Sequence, residues 1–243
     1  DFEGRKAYVR RIDCDYYTDA ITYTKVTVLD QSGPGLGEVH VTSRVVGFKK
    51  IKFYTNENIG SGELDLPEQE MHTTAWWLTV PRGVMAGLSF APDDRRDGIV
   101  GLSFALRQVA QLLLMCDRQD IGVAIDGGAE GSVPEGGDEP RIFIYDNYPG
   151  GIGFSEPLSS KHDELLEHTH ALVSGCPCEQ GCPACVGPVG NTGPLAKAVA
   201  LTVLDALRAR SGESCELAEL PEGAACAEAP VRSALAVADE VPF

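Results

Sequence analysis

Four cysteines within ten residues, Cys176-Pro-Cys178-Glu-Gln-Gly-Cys182-Pro-Ala-Cys185, constrain this chain more than any other feature. Four soft ligands in so short a segment can wrap a single ion without help from elsewhere, and thiolates favour zinc. A closed tetrahedral set leaves no position for a reactive water, so the expected metal is structural: one Zn2+ held by Cys176, Cys178, Cys182 and Cys185. Pro177 and Pro183 stiffen the turns behind the first and third ligands, and Gly181 lets the backbone bend before the third. Two alternatives stay open at this level: an iron–sulfur cluster, which also takes four thiolates, and four buried thiols with no metal.

The other four of the eight cysteines, Cys14, Cys116, Cys215 and Cys226, are scattered. That is not how a secreted disulfide framework looks, and a reducing compartment is expected. No run of about 18 apolar residues occurs, and the first residues are charged rather than basic-then-apolar, so a cytoplasmic location and no membrane partner are expected. The chain begins at Asp1 without Met and reads as a fragment or a processed product. Its net charge of -16 excludes a surface that coats nucleic acid indiscriminately, because such binding rests on Lys and Arg neutralising phosphates. Any nucleic-acid contact must be local. Two basic groups qualify: Arg10 and Arg11 with Arg5 and Lys6, and Lys49, Lys50 and Lys52, interleaved with Tyr8, Phe48, Phe53 and Tyr54. Strand alternation puts Lys50 and Lys52 on one face, a track for single-stranded DNA with aromatics to stack bases, or else a solvated strand face.

The expected fold class is α+β, a β-rich N-terminal subdomain over residues 1–68 followed by a mixed α/β zinc-binding domain over 69–211. Alternating runs at 20–29 and 40–46 flank the Gly/Pro-rich 32–37, which reads as a hairpin. Residues 56–67 read as polar linker and 73–80 as a buried strand. Gly101–Cys116 reads as a buried helix, and Ile121–Ile125 and Ile142–Tyr145 as strands joined by a flexible loop. Ser160 and Asp163 suggest a capping box opening a helix whose face holds Leu165, Leu166, Thr169, Leu172 and Val173. A last helix is expected over about 195–210, and an acidic disordered tail over 212–243. The strand end Tyr145-Asp146 before Gly150-Gly151-Ile-Gly153 is a tight turn in which Asp146 is expected to cap, although such a turn could also face a phosphate. His72 reads as a core or domain-contact residue, and His162, His168 and His170 as solvated. No catalytic nucleophile set can be assembled from spacing, so no catalytic residue is expected.

Tyr145-Asp146 with Pro149-Gly-Gly-x-Gly153, followed by the cysteine cluster, resembles the MrfA zinc-binding (MZB) domain. Asn58-Ile-Gly-x-Gly62 and Leu66-Pro-Glu-Gln-Glu-Met-His-Thr-Thr74 are similar to the region before that domain in MrfA-type DEAD/DEAH-box helicases. The resemblance implies the C-terminal region of a superfamily 2 helicase that unwinds DNA with 3′ to 5′ polarity in DNA repair. It also implies RecA-like motor domains upstream that bind ATP and Mg2+, and single-stranded or partly duplex DNA as partner. This stretch holds no phosphate loop, so it is not expected to hydrolyse ATP alone. A related implication is a protein-interaction module of a phage-defence protein without DNA contact. The ending Ala236–Phe243 is similar to the acidic tip of bacterial single-stranded DNA-binding proteins, which implies docking on a repair partner, beside the plainer reading of chance.

Overall fold

The computed structural model describes residues 2–3, 6–9, 11–55, 57–126, 139–187 and 192–216. Two short strands, β1 (Phe2–Glu3) and β2 (Lys6–Ala7), pair with each other. The main layer is a six-stranded antiparallel sheet built from β3 (Tyr16–Gly33), β4 (Leu36–Lys52), β5 (Asn58–Glu63), β6 (Gln69–Thr79), β7 (Ile121–Ile125) and β8 (Arg141–Asp146). Its order is β3-β4-β6-β8-β7, with β5 a short addition to β4. The hairpin foreseen around residues 32–37 is β3–β4, long and turned at Pro34-Gly35. The sheet curls far enough that β3 reaches β7.

Strand alternation then divides the apolar side chains between two layers. Trp76, Leu78, Ile142 and Ile144 face the helices, while Ala75, Trp77, Phe143 and Tyr145 face a second core inside the curl, with Val39 and Val41. This explains why Ile142–Tyr145 is an unbroken apolar run: β8 is covered on both sides. The helical layer comprises α1 (Arg82–Gly87), α2 (Pro92–Leu114), α3 (Ser155–Ser160), α4 (His162–Gly175) and α5 (Ala196–Glu216). On α2, Ile99, Leu102, Leu106 and Val109 recur at helical spacing and are nearly solvent-free. By length and composition α2 is apolar enough to cross a membrane, yet half of that window is buried inside the molecule, against α4 and α5. The mixed α+β architecture agrees with the sequence expectation.

Several details differ from it. Strands from either side of residue 68 share one hydrogen-bonded layer, because β6 pairs β4 from Leu36↔Trp76 to Ser43↔Gln69. The polar stretch after residue 56 contains β5, held by pairing along β4 rather than by its own composition. Helix α2 begins well before Gly101, with Pro92 at its first position and Asp93 and Asp94 in its first turn, where the backbone N–H groups favour acids. The Ser160/Asp163 capping box does not form. Ser160 is the last residue of α3, its hydroxyl donates to Pro157 O at 2.9 Å, and Lys161 stands at the start of α4 with no side-chain cap. The buried face of α4 is otherwise as expected, Leu165, Leu166, Thr169 and Val173. Helix α5 runs on to Glu216; the flexible loop expected between β7 and β8 and the tail from 217, including Ala236–Phe243, lie outside the described residues.

Helices α2 and α5 touch at Gly98, where an added Cβ would lie 2.1 Å from Val199 Cγ1. Gly98→Ala should gain up to about 1 kcal/mol of helix propensity. It must also push α5 away, an overpacking cost of about 1–3 kcal/mol. The expected net effect is destabilisation, read as a lower urea midpoint at unchanged slope; a rise in the midpoint would show that the helices can separate freely.

Candidate metal centre

Helix α4 delivers the chain to the cysteines: it ends at Gly175, and Cys176 leaves it in extended conformation. The loop then doubles back. The N–H groups of Cys185 and Gly187 both donate to Cys182 O at 3.0 Å, and Gly181 takes φ +141°, with Val186 so near that an added Cβ would meet it at 2.8 Å. Cys185 and Val186 are fully buried in the main core, and Gln108 of α2 donates to Cys185 O at 2.9 Å. Cys176, Cys178 and Cys182 are half-buried against the same core.

All four Sγ atoms lie within 4.8 Å of one another, with separations of 3.5 Å for Cys176–Cys182, 3.4 Å for Cys178–Cys185 and 3.6 Å for Cys182–Cys185. Sulfurs at about 2.3 Å around a tetrahedral zinc ion stand roughly 3.8 Å apart, so the donor set fits a small tetrahedral ion. Sulfurs this close leave no room for the multi-iron core of a cluster. The four thiols are not equivalent without metal. The backbone N–H of Cys178, then the neighbouring thiols, lower Cys176 to about 7, whereas burial pushes Cys185 up to about 12.

One residue of the centre went unnoticed in the sequence. Lys197, in the first turn of α5 and 9% exposed, donates through Nζ to Cys176 O at 2.7 Å and to Cys178 O, and lies 3.7 Å from Cys178 Sγ. The available signal was a single cation in the apolar stretch Leu195–Leu201, close after the cluster.

Asp146 performs the capping role expected of it. Its carboxylate accepts the N–H groups of Ile152 (2.7 Å), Gly153 (2.9 Å) and Phe154 (3.2 Å) and the Ser155 hydroxyl (2.9 Å). These amides are thus turned onto a carboxylate and are not free for a phosphate. His72 is exposed rather than buried, and stacks on His40 across β4–β6 with ring centroids 4.7 Å apart. His168 is exposed, but His162 is half-buried near Trp76 and His170 pairs with Asp205 at 3.0 Å, so these two are not simply solvated.

The basic residues divide. Lys50 and Lys52 share a face with Tyr16, whose ring lies 5.4 Å from Lys50 Nζ, whereas Lys49 opposes Asp19 on the other face. On that second face Tyr17, Phe53 and the wholly exposed Tyr54 form a ring series with centroids 5.5 and 6.4 Å apart. Arg11 is exposed, and Arg10 lies outside the described residues.

A four-thiolate, zinc-binding domain set on a curled antiparallel sheet is the class these features define. Residues 102–186 match the family model of the MrfA Zn-binding domain. The chain is 36% identical over 197 residues to the uncharacterized ATP-dependent helicase YprA of Bacillus subtilis (strain 168), covering 77% of this chain. It spans only 25% of that relative's length. It is also 36% identical over 50 residues to the Druantia protein DruE of Escherichia coli (strain UMEA 4076-1), covering 21% of this chain and 3% of that protein. Among solved structures, the DUF1998 helicase MrfA bound to DNA is similar at TM-score 0.57 and 36% identity, over 84% of this chain and 27% of that one. The chain is thus homologous to the zinc-binding region of MrfA-like helicases.

Proposed function

We propose that this chain is an accessory module of an ATP-dependent 3′ to 5′ DNA helicase acting in repair in the cytoplasm. In this reading one structural zinc fixes the fold, strand residues contact single-stranded DNA, and ATP and Mg2+ are bound by RecA-like motor domains elsewhere in the polypeptide. The similarity to a helicase crystallised with DNA supports it. The observation that carries the DNA contact is local: on a chain of net charge -16, Lys50 and Lys52 lie together on one strand face with no carboxylate partner among the described residues. The half-buried ring of Tyr16 lies on that same face, 5.4 Å from Lys50 Nζ. Phosphates and bases of a single strand match that pairing of cation and ring.

The test is oligonucleotide binding by fluorescence anisotropy across a salt series. The double change Lys50→Glu and Lys52→Glu should weaken binding and flatten the slope of log K against log salt by about 1.4, roughly 0.7 for each phosphate no longer neutralised. Lys49→Glu, on the opposite face, should do less. A parent chain that binds no single strand at low salt would leave the competing reading, a protein-interaction module.

A further inference from the structure

We infer that Lys197 is the counter-cation of the metal centre, a positioning residue that offsets the charge of the four thiolates and ties Cys176 and Cys178 to helix α5. The inference rests on the zinc reading of the cysteine cluster.

A lysine here is otherwise hard to account for. Its side chain is almost completely buried, flanked on α5 by Ala196, Val199 and Ala200, all solvent-free. A buried ammonium needs an anion or a full set of acceptors. Lys197 has no carboxylate within reach among the described residues; its partners are the carbonyls of Cys176 and Cys178 and the sulfur of Cys178. It also occupies the first turn of α5, where the helix's own N–H groups already carry positive charge and a cation is disfavoured. Something negative must outweigh both costs. Four thiolates around a divalent ion retain a net charge of about -2, and among the described residues this is the only such concentration beside Nζ.

Two consequences follow for the centre. The ammonium lies nearest Cys178, so that thiolate is the one shielded most from electrophiles. The paired carbonyl bonds hold the first two ligands at a fixed distance from α5, which joins the metal loop to the core helix that packs on α2 at Gly98. Outer residues that orient metal ligands are commonly worth 10–100-fold in affinity.

The experiment compares the whole chain with Lys197→Met and Lys197→Arg. Cobalt(II) binding is followed through its thiolate charge-transfer bands in competition with a chelator, and iodoacetamide labelling of each cysteine in the loaded protein is followed by mass spectrometry. Lys197→Met should bind cobalt roughly 10- to 100-fold more weakly, with Cys178 labelled ahead of the other three, and Lys197→Arg should recover most of the affinity. Should the Met variant fail to fold, Lys197→Gln keeps a donor, removes only the charge, and is read in the same way. Unchanged affinity and labelling in the uncharged variants would overturn the role of Lys197 while leaving the zinc reading intact. So would an Arg variant as weak as Met with all four cysteines labelled alike, the signature of lost packing. A parent chain that takes up no cobalt would overturn both.

Discussion

Removing the metal, by chelation or by Cys185→Ser, should cost about 4 kcal/mol or more and lower the midpoint of thermal unfolding by roughly 8–16 °C. Cys185 is fully buried, its carbonyl is the acceptor for Gln108 of α2, and Val186 beside it is a member of the main core. With metal the burial of Cys185 stabilises; without it the thiol is pushed up to about 12 and stays protonated, and the loop has no centre to wrap. Lys197 would at the same time be left buried beside neutral thiols. The damage therefore spreads from residues 176–187 into α2 and α5, not only into the loop. Ser at any of the other three positions should act in the same direction. The sign with pH is set by competition between protons and metal for thiolate: stability contributed by the ion is present at neutral pH and is lost as pH falls. Zinc content and calorimetry check this together, and a Cys185→Ser chain that keeps both its metal and its midpoint would remove the centre from the fold's foundations.

Asp146→Ala should cost about 3–5 kcal/mol, the second largest effect expected. The carboxylate is 1% exposed and gathers three backbone N–H groups and the Ser155 hydroxyl, all within 3.2 Å. Truncation orphans four donors at once in a buried turn. The turn is also tied to β6: Thr73 donates to Asp146 O at 2.7 Å and to Tyr148 O at 3.0 Å, and Gly150 N–H donates to His72 O at 2.7 Å. Loosening it frees the start of α3 and the end of β8 together. Asp146→Asn keeps one carbonyl oxygen as acceptor and should lose roughly half as much. Hydrogen exchange reports the outcome locally, with faster exchange expected at residues 150–155; protection unchanged there in Asp146→Ala would mean that water replaces the carboxylate without penalty.

The legible parts of the sequence were those whose cause is local. The metal ligands sit within ten residues, and the turn residues that bend their loop lie between them. The hairpin showed its period of two, and α4 showed its apolar face. What failed was decided elsewhere. Strand β5 exists because β4 offers it an unpaired edge. The capping box failed because Ser160 was already committed to α3. Lys197 was invisible because a lysine in a helix ordinarily faces water, and only the packing of α5 over the cysteine loop turns it inward.

By itself the sequence determined which atoms could hold a metal and the alternation of strands and helices, since these depend on residue type and short spacing. Only the tertiary structure decided that a buried ammonium lies beside the four sulfurs. It also decided that β5 joins the sheet along β4. Each of these depends on pairing between segments far apart in the chain, and the free energy of that pairing is written in no single stretch of it.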